Sequence, residues 1–193
     1  YFFVVFQGPS VSLDAACSSS MCALSAAYDD LRMGKTDRAI VGGLSITTDP
    51  NVNRMFNAYT MLSPTGRCHS FDARADGYCR SEGIGIIILE SCRVLPEYRR
   101  FGYARLAGIS TSSSGYMNEG ITFPSSEGQA NLAKDVLNMA GVTPENISYV
   151  EAHGTGTKVG DRIELEGLAQ VYPQDGLLVG SVKSNMGHAE CAS

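Results

Sequence analysis

Val11-Ser12-Leu13-Asp14-Ala15-Ala16-Cys17-Ser18-Ser19-Ser20 reads as a short strand, a bend of small residues and the start of a helix, with one cysteine at the bend. Alternation at 11–13 predicts the strand. The serines ahead of an Ala-, Leu- and Met-containing run predict a helix over Ser18–Met33, with Gly34 as its stop. A cysteine in the first helical turn faces unpaired N–H groups and the positive end of the helix dipole, a setting that favours the thiolate. A small buried apolar side chain is the other reading of any cysteine. Cys22 and Cys92 are read that way, and for Cys17 the bend alone leaves both readings open.

Working outward, strand-like and helix-like segments alternate, which predicts an α/β class. Arg38–Val41 is a strand closed by Gly42-Gly43. Asp49–Thr65 holds a short helix and the turn Ser63-Pro64-Thr65-Gly66. Gly83–Glu90, with Ile84, Ile86, Ile87 and Ile88, predicts a buried strand. Segment 91–101 is polar and basic, contains Pro96, and reads as the connector between two halves. Beyond it Ala104–Ser110 is strand-like. Ser126 with Gln129 is a capping-box pattern opening a helix to Ala140, stopped by Gly141. Ile147–Glu151 and Leu177–Val182 are strands. Asp161 with Glu164 is a second capping pattern, for a helix reaching about Tyr172.

Composition narrows the classes. With 193 residues, 44% hydrophobic and 18% charged, the chain reads as a globular protein with a sizeable core. A net charge of −5 and no dense basic run argue against nucleic-acid binding. No apolar stretch reaches the roughly 20 residues of a membrane span. The six cysteines show no CxxC pair and no secretory signal, so free thiols are expected. Cys68-His69 lacks partners at zinc-ligand spacing, so no metal site is expected. The apolar opening Tyr1–Phe6 and the abrupt close at Ser193 read as the cut ends of an internal piece.

Two further motifs carry chemistry. Glu151-Ala152-His153-Gly154-Thr155-Gly156-Thr157 follows one strand. Gly180-Ser181-Val182-Lys183-Ser184-Asn185-Met186-Gly187-His188 follows another. Both place a histidine just past a strand's C-terminal end, where open α/β sheets bind ligands. The glycines permit close approach of a substrate, and the threonines offer hydroxyls. A histidine beside glycine is often structural, and Lys183 could be a solvated charge. Asp161 and Glu164 have their helix-capping explanation. His69 reads as a surface residue.

Together these motifs, with Phe71-Asp72-Ala73-Arg74-Ala75-Asp76-Gly77-Tyr78-Cys79-Arg80-Ser81-Glu82-Gly83 between them, resemble the β-ketoacyl synthase (condensing enzyme) domains of type I fatty acid and polyketide synthases. The resemblance runs over nearly the whole chain. Asn118–Ser125, Thr157–Asp161 and Ser184–His188 look like animal-type fatty acid synthase, whereas Ala75–Tyr78 looks more like polyketide synthases. The chain departs from the family pattern at Ala15, where Thr is usual, and at Arg162, where Pro is usual.

The resemblance implies a thiolase-like αβαβα fold, here partial. Residues 1–95 would end the N-terminal half and residues 96–193 would start the C-terminal half. It implies an acyl group held on Cys17 and decarboxylative condensation with a malonyl thioester. His153 and His188 would stabilise the developing oxyanion, Lys183 would orient the His188 region, Thr155 and Thr157 would hold pantetheine, and Asp161 and Glu164 would support the site. No cofactor would be bound. Substrate would arrive on the 4′-phosphopantetheine of an acyl carrier protein domain, with an acyltransferase domain in the same chain, in a cytoplasmic homodimer. A Gly/Phe-rich oxyanion-hole loop of the family is absent from these residues, so the 193 residues alone are expected to be inactive. A polyketide ketosynthase, a non-catalytic condensing-enzyme relative and a cysteine hydrolase are the competing readings. Retention of Cys17, His153 and His188 argues against the non-catalytic relative, and the Lys183 motif is not explained by hydrolysis.

Overall fold

A computed structural model describes residues 6–93, 102–120, 122–173 and 175–193. The apolar opening 1–5, most of the expected connector, the boundary between 95 and 96, and residue 121 of the Asn118–Ser125 motif lie outside the described residues.

Val11–Leu13 is exposed and joins no strand ladder, unlike the strand expected there. The bend at Cys17 is nevertheless sharp. Ala16 sits at φ +51, and a 3-10 turn over Ala16–Ser18 feeds helix α1 (Ser19–Arg32). The serine run fixes this geometry. Ser19 Oγ accepts the Ala15 N–H at 2.9 Å and donates to Ala16 O at 2.7 Å, and Ser18 Oγ donates to Ala15 O at 2.8 Å. Gly34, at φ +72, follows the end of α1.

Strand β1 (Arg38–Ser45) does not close at Gly42-Gly43 but runs through both glycines. It pairs antiparallel with β2 (Gly83–Glu90), from Arg38 opposite Glu90 to Ser45 opposite Gly83. Alternate residues lie on opposite faces of a sheet. Val41 and Ser45 are buried on the side that α1 covers. Ile40, Leu44, Ile84, Ile86 and Ile88 share the other face, each more than half exposed. The expectation that Gly83–Glu90 is buried is therefore overturned: nothing among the described residues covers that face.

Helix α2 (Pro50–Ala58) is capped by Asp49, which accepts the Asn51 N–H at 2.8 Å, and has Pro50 at its first position. Helix α3 (Ser126–Ala140) starts one residue from the expected cap. Ser125 is the N-cap, accepting from the Gly128 N–H at 3.0 Å, and Gly141 ends the helix at φ +66. Ala104–Ser110 forms no ladder; it runs past α1 and α3, where Tyr28 Oη donates to Ala107 O at 3.2 Å and Gly108 packs close to Val136 O.

Strands β3 (Tyr149–Glu151) and β4 (Leu178–Gly180) are parallel. Helix α4 (Gly160–Ala169) packs on α3 and ends short of Tyr172, and α5 (Lys183–Met186) is a single turn. All six cysteines are free. Cys92 is exposed and Cys22 half-buried, so the buried reading fails for Cys92. No helix among the described residues is long and apolar enough to cross a membrane.

Candidate active site

One hub draws the motifs together. The stretch from Cys68 to Ser81 runs between both histidine loops and bonds to each. Phe71 N–H reaches Asp161 Oδ2 at 2.7 Å, and Gly77 N–H reaches Gly156 O at 3.1 Å. His188 N–H donates to Cys79 O at 2.7 Å, and Ser81 N–H donates to His188 O at 2.8 Å. His69, on this stretch, is half-buried, its Nε2 3.3 Å from Thr65 Oγ1.

Asp161 and Glu164 build the His153 loop rather than capping their own helix. The N-cap of α4 is Val159, which makes no side-chain cap bond, so the expected capping box is absent. Asp161 instead turns back: its buried carboxylate accepts the Gly156 N–H at 3.0 Å and the Thr157 N–H at 3.2 Å, beside that of Phe71. Glu164 accepts the His153 N–H at 2.7 Å and the Gly154 N–H at 2.8 Å. Gly154 (φ +44) and Gly156 (φ +82) are needed here because the protein itself presses on them. A Cβ would lie 2.7 Å from Ser181 Cβ at the first and 2.6 Å from His69 N at the second.

Cys17, His153 and His188 converge from three separate segments. Their ligand-type atoms all lie within 4.8 Å of one another. Cys17 Sγ is 3.0 Å from His188 Nε2, and the two imidazoles meet edge to face, centroids 5.3 Å apart. The same cluster is close enough to hold a metal ion. Burial raises the Cys17 pKa, and the Glu190 carboxylate raises it further. These outweigh the lowering from the backbone N–H and Lys183. The thiolate expected from the helix N-terminus is thus not the resting form.

His188 is 1% exposed, and burial, then the neighbouring His153, Lys183 and Arg80, push its pKa down to about 3. Its ring is neutral, and Nδ1 accepts the Glu190 N–H at 3.2 Å. The single ring proton therefore sits on Nε2, facing Cys17. His153 is open to solvent, yet enough protein crowds its ring that its pKa also falls, with Lys183 adding to the effect. Lys183 is buried, and its charge acts on both histidines and on Cys17. Thr155 is buried and Thr157 half-buried, their hydroxyls 3.5 Å apart, and Thr157 lines an open cleft with Phe71, Asp161 and Leu165. Arg162, the departure from Pro, pairs on the surface with Glu166 at 2.7 Å.

Sequence reasoning missed Glu190, Arg80 and Tyr78. Glu190 lies two residues past His188, and Arg80 and Tyr78 stand in the quoted 71–83 stretch, so proximity to motifs was the available signal. Arg80 Nε pairs with Glu190 Oε1 at 2.8 Å, and the Tyr78 ring stacks edge to face on His188 at 5.2 Å.

A thiol 3.0 Å from a buried imidazole nitrogen, with a second imidazole closing the cluster, is an arrangement able to carry covalent chemistry at sulfur. Residues 2–93 match the family "Beta-ketoacyl synthase, N-terminal domain", and residues 103–193 match "Beta-ketoacyl synthase, C-terminal domain". The chain belongs to the β-ketoacyl synthase family. It is 44% identical over 195 residues to a fatty acid synthase of Anser anser anser, covering 100% of this chain and 54% of that protein. It is 42% identical over 197 residues to a phenolphthiocerol/phthiocerol polyketide synthase of Mycobacterium tuberculosis, covering 100% of this chain and 12% of that one. The chain thus spans about half the length of the first relative and a small share of the second. The ketosynthase from module 6 of the Bacillus subtilis 168 bacillaene synthase, in a cysteine-to-serine mutant form, superimposes with a TM-score of 0.87 at 38% identity, over 96% of this chain and 34% of that structure. The thiolase-like fold follows from these likenesses.

Proposed function

We propose that the chain is the 3-oxoacyl-[acyl-carrier-protein] synthase segment of a multifunctional fatty acid synthase. The observation that carries this reading is the 3.0 Å approach of Cys17 Sγ to His188 Nε2, with His153 closing the cluster. An acyl group passes from the phosphopantetheine sulfur of an acyl carrier protein domain to Cys17. A malonyl thioester on that carrier then loses carbon dioxide, and the resulting enolate attacks the Cys17 thioester. Its oxygen gathers negative charge as carbon dioxide leaves, and neutral His188 offers it the Nε2–H, with His153 beside it. One such donor is typically worth about 3–4 kcal/mol. Burial, aided by the Lys183 charge, keeps both imidazoles neutral. Thr155 and Thr157 hold the pantetheine arm, and Asp161 and Glu164 hold the loop that presents His153.

A polyketide ketosynthase performs the same chemistry. It is favoured by Ala75–Tyr78 and by the likeness to the bacillaene ketosynthase. Product analysis of the full-length protein separates the two, since only fatty acid synthesis requires a saturated chain. Residues 1–95 and 96–193 fall to the two halves of the domain. The partners are the carrier and acyltransferase domains of one chain and a second copy in a homodimer, in the cytoplasm, with no cofactor bound by this segment.

The test is intact mass spectrometry of the full-length protein with an acyl thioester donor. The acyl mass maps to Cys17 and is lost in Cys17→Ala. Mapping to Cys22 or Cys92 would overturn the assignment.

A further inference from the structure

Besides the histidines, one more ionisable group reaches the sulfur. Cys17 Sγ–H points to Glu190 Oε2 at 3.9 Å, and the same oxygen is 3.9 Å from His188 Nε2. The carboxylate is fixed from behind. Its other oxygen takes the Arg80 Nε–H at 2.8 Å, and both side chains are 13% exposed. Arg80 is itself held by Asn53 and lies 5.3 Å from the Phe56 ring centroid. The Glu190 backbone adopts φ +47, a conformation a glutamate takes only where its surroundings enforce it.

A thiol must shed its proton to attack a thioester. His188 is not the acceptor, because Nδ1 is occupied by the Glu190 N–H and Nε2 already carries hydrogen. We propose that Glu190 is the general base that takes the Cys17 proton during acylation; this rests on the acyl-transfer reading above. The Sγ–H bond breaks and its proton passes to Glu190 Oε2. The sulfur's electron pair forms the bond to the acyl carbonyl carbon. The carbon–sulfur bond to pantetheine breaks, its pair leaving on the pantetheine sulfur, and Glu190 returns the proton there. The step ends with a Cys17 thioester, a free pantetheine thiol and a carboxylate. A long contact at rest is usual for a base that closes on its proton only when substrate is seated. Around the thiol and the carboxylate stand His153, His188, Lys183, Arg80, Tyr78 and Cys191. Amid these groups the Sγ–H is directed at the Glu190 carboxylate.

Glu190→Gln keeps an acceptor for Arg80 but cannot take a proton. In the full-length protein, acylation of Cys17 by an acyl-pantetheine thioester should slow about 100-fold at neutral pH. The remaining rate should climb about tenfold per pH unit, tracking thiolate formed without help, while the native rate changes little between about pH 6 and 8. Glu190→Asp should recover part of the loss. Transfer from an already acylated Cys17 to a malonyl thioester should fall by less than about threefold, since it needs no thiol deprotonation. The proposal is overturned if Glu190→Gln acylates within about threefold of native with the native pH profile, or if both half-reactions fall together. Native protein that takes no acyl group on Cys17 defeats the underlying reading, and the general base with it.

Discussion

At the scale of the residue, His188 shows how position sets chemistry. Its ordinary pKa of 6.5 drops to about 3 because a buried imidazolium loses its water and meets like charge from Lys183 and Arg80. The unfolded chain therefore binds a proton between these values that the folded chain refuses. Stability is full above about pH 6.5 and falls as pH drops toward 3. His153, shifted the same way, adds to the slope. His188→Asn should flatten this acid-side loss in thermal unfolding of the full-length protein, and an unchanged slope would count against the buried neutral ring. Cys17 makes the complementary point. Its helix setting was legible in the sequence, but burial and the Glu190 charge come from residues far along the chain, and they reverse the expected direction.

At the scale of the element, the loop carrying His153 owes its shape to the first turn of α4. The Asp161 carboxylate gathers backbone N–H groups from Phe71, Gly156 and Thr157, joining two segments about 90 positions apart in sequence. Asp161→Ala leaves these donors without a partner. A loss of about 3–5 kcal/mol is expected, read as a lowered denaturant midpoint together with loss of condensing activity. A loss below about 1 kcal/mol would show that water replaces the carboxylate freely. The sequence pattern here was identified, but its meaning differed. Asp161 and Glu164 have the right spacing for a cap, yet both reach back to the preceding loop, because Thr157 through Gly160 already turn the chain into the helix.

At the scale of the whole molecule, the β1–β2 sheet carries α1 on one face and leaves Ile40, Leu44, Ile84, Ile86 and Ile88 open on the other. An apolar face of this kind binds hydrophobic dyes in water. The 193-residue chain purified alone should therefore enhance anilinonaphthalene sulfonate fluorescence, and Ile86→Lys, at the middle of the patch, should reduce the signal. No enhancement would show the face to be covered. The isoleucine run marked a strand correctly, since β-branched residues suit a pleated backbone. Whether that strand is buried depends on what packs against it, which a run of residues does not encode. The sequence by itself determined the α/β class, the helix after Cys17 and the three motifs, because each is written in local pattern and composition. The tertiary structure alone decided that the Cys17 pKa is raised, that His188 is buried with Nδ1 accepting the Glu190 N–H, and that Arg80 and Glu190 pair beside the cluster. Those outcomes depend on charges and burial contributed by segments that meet only when the chain is folded.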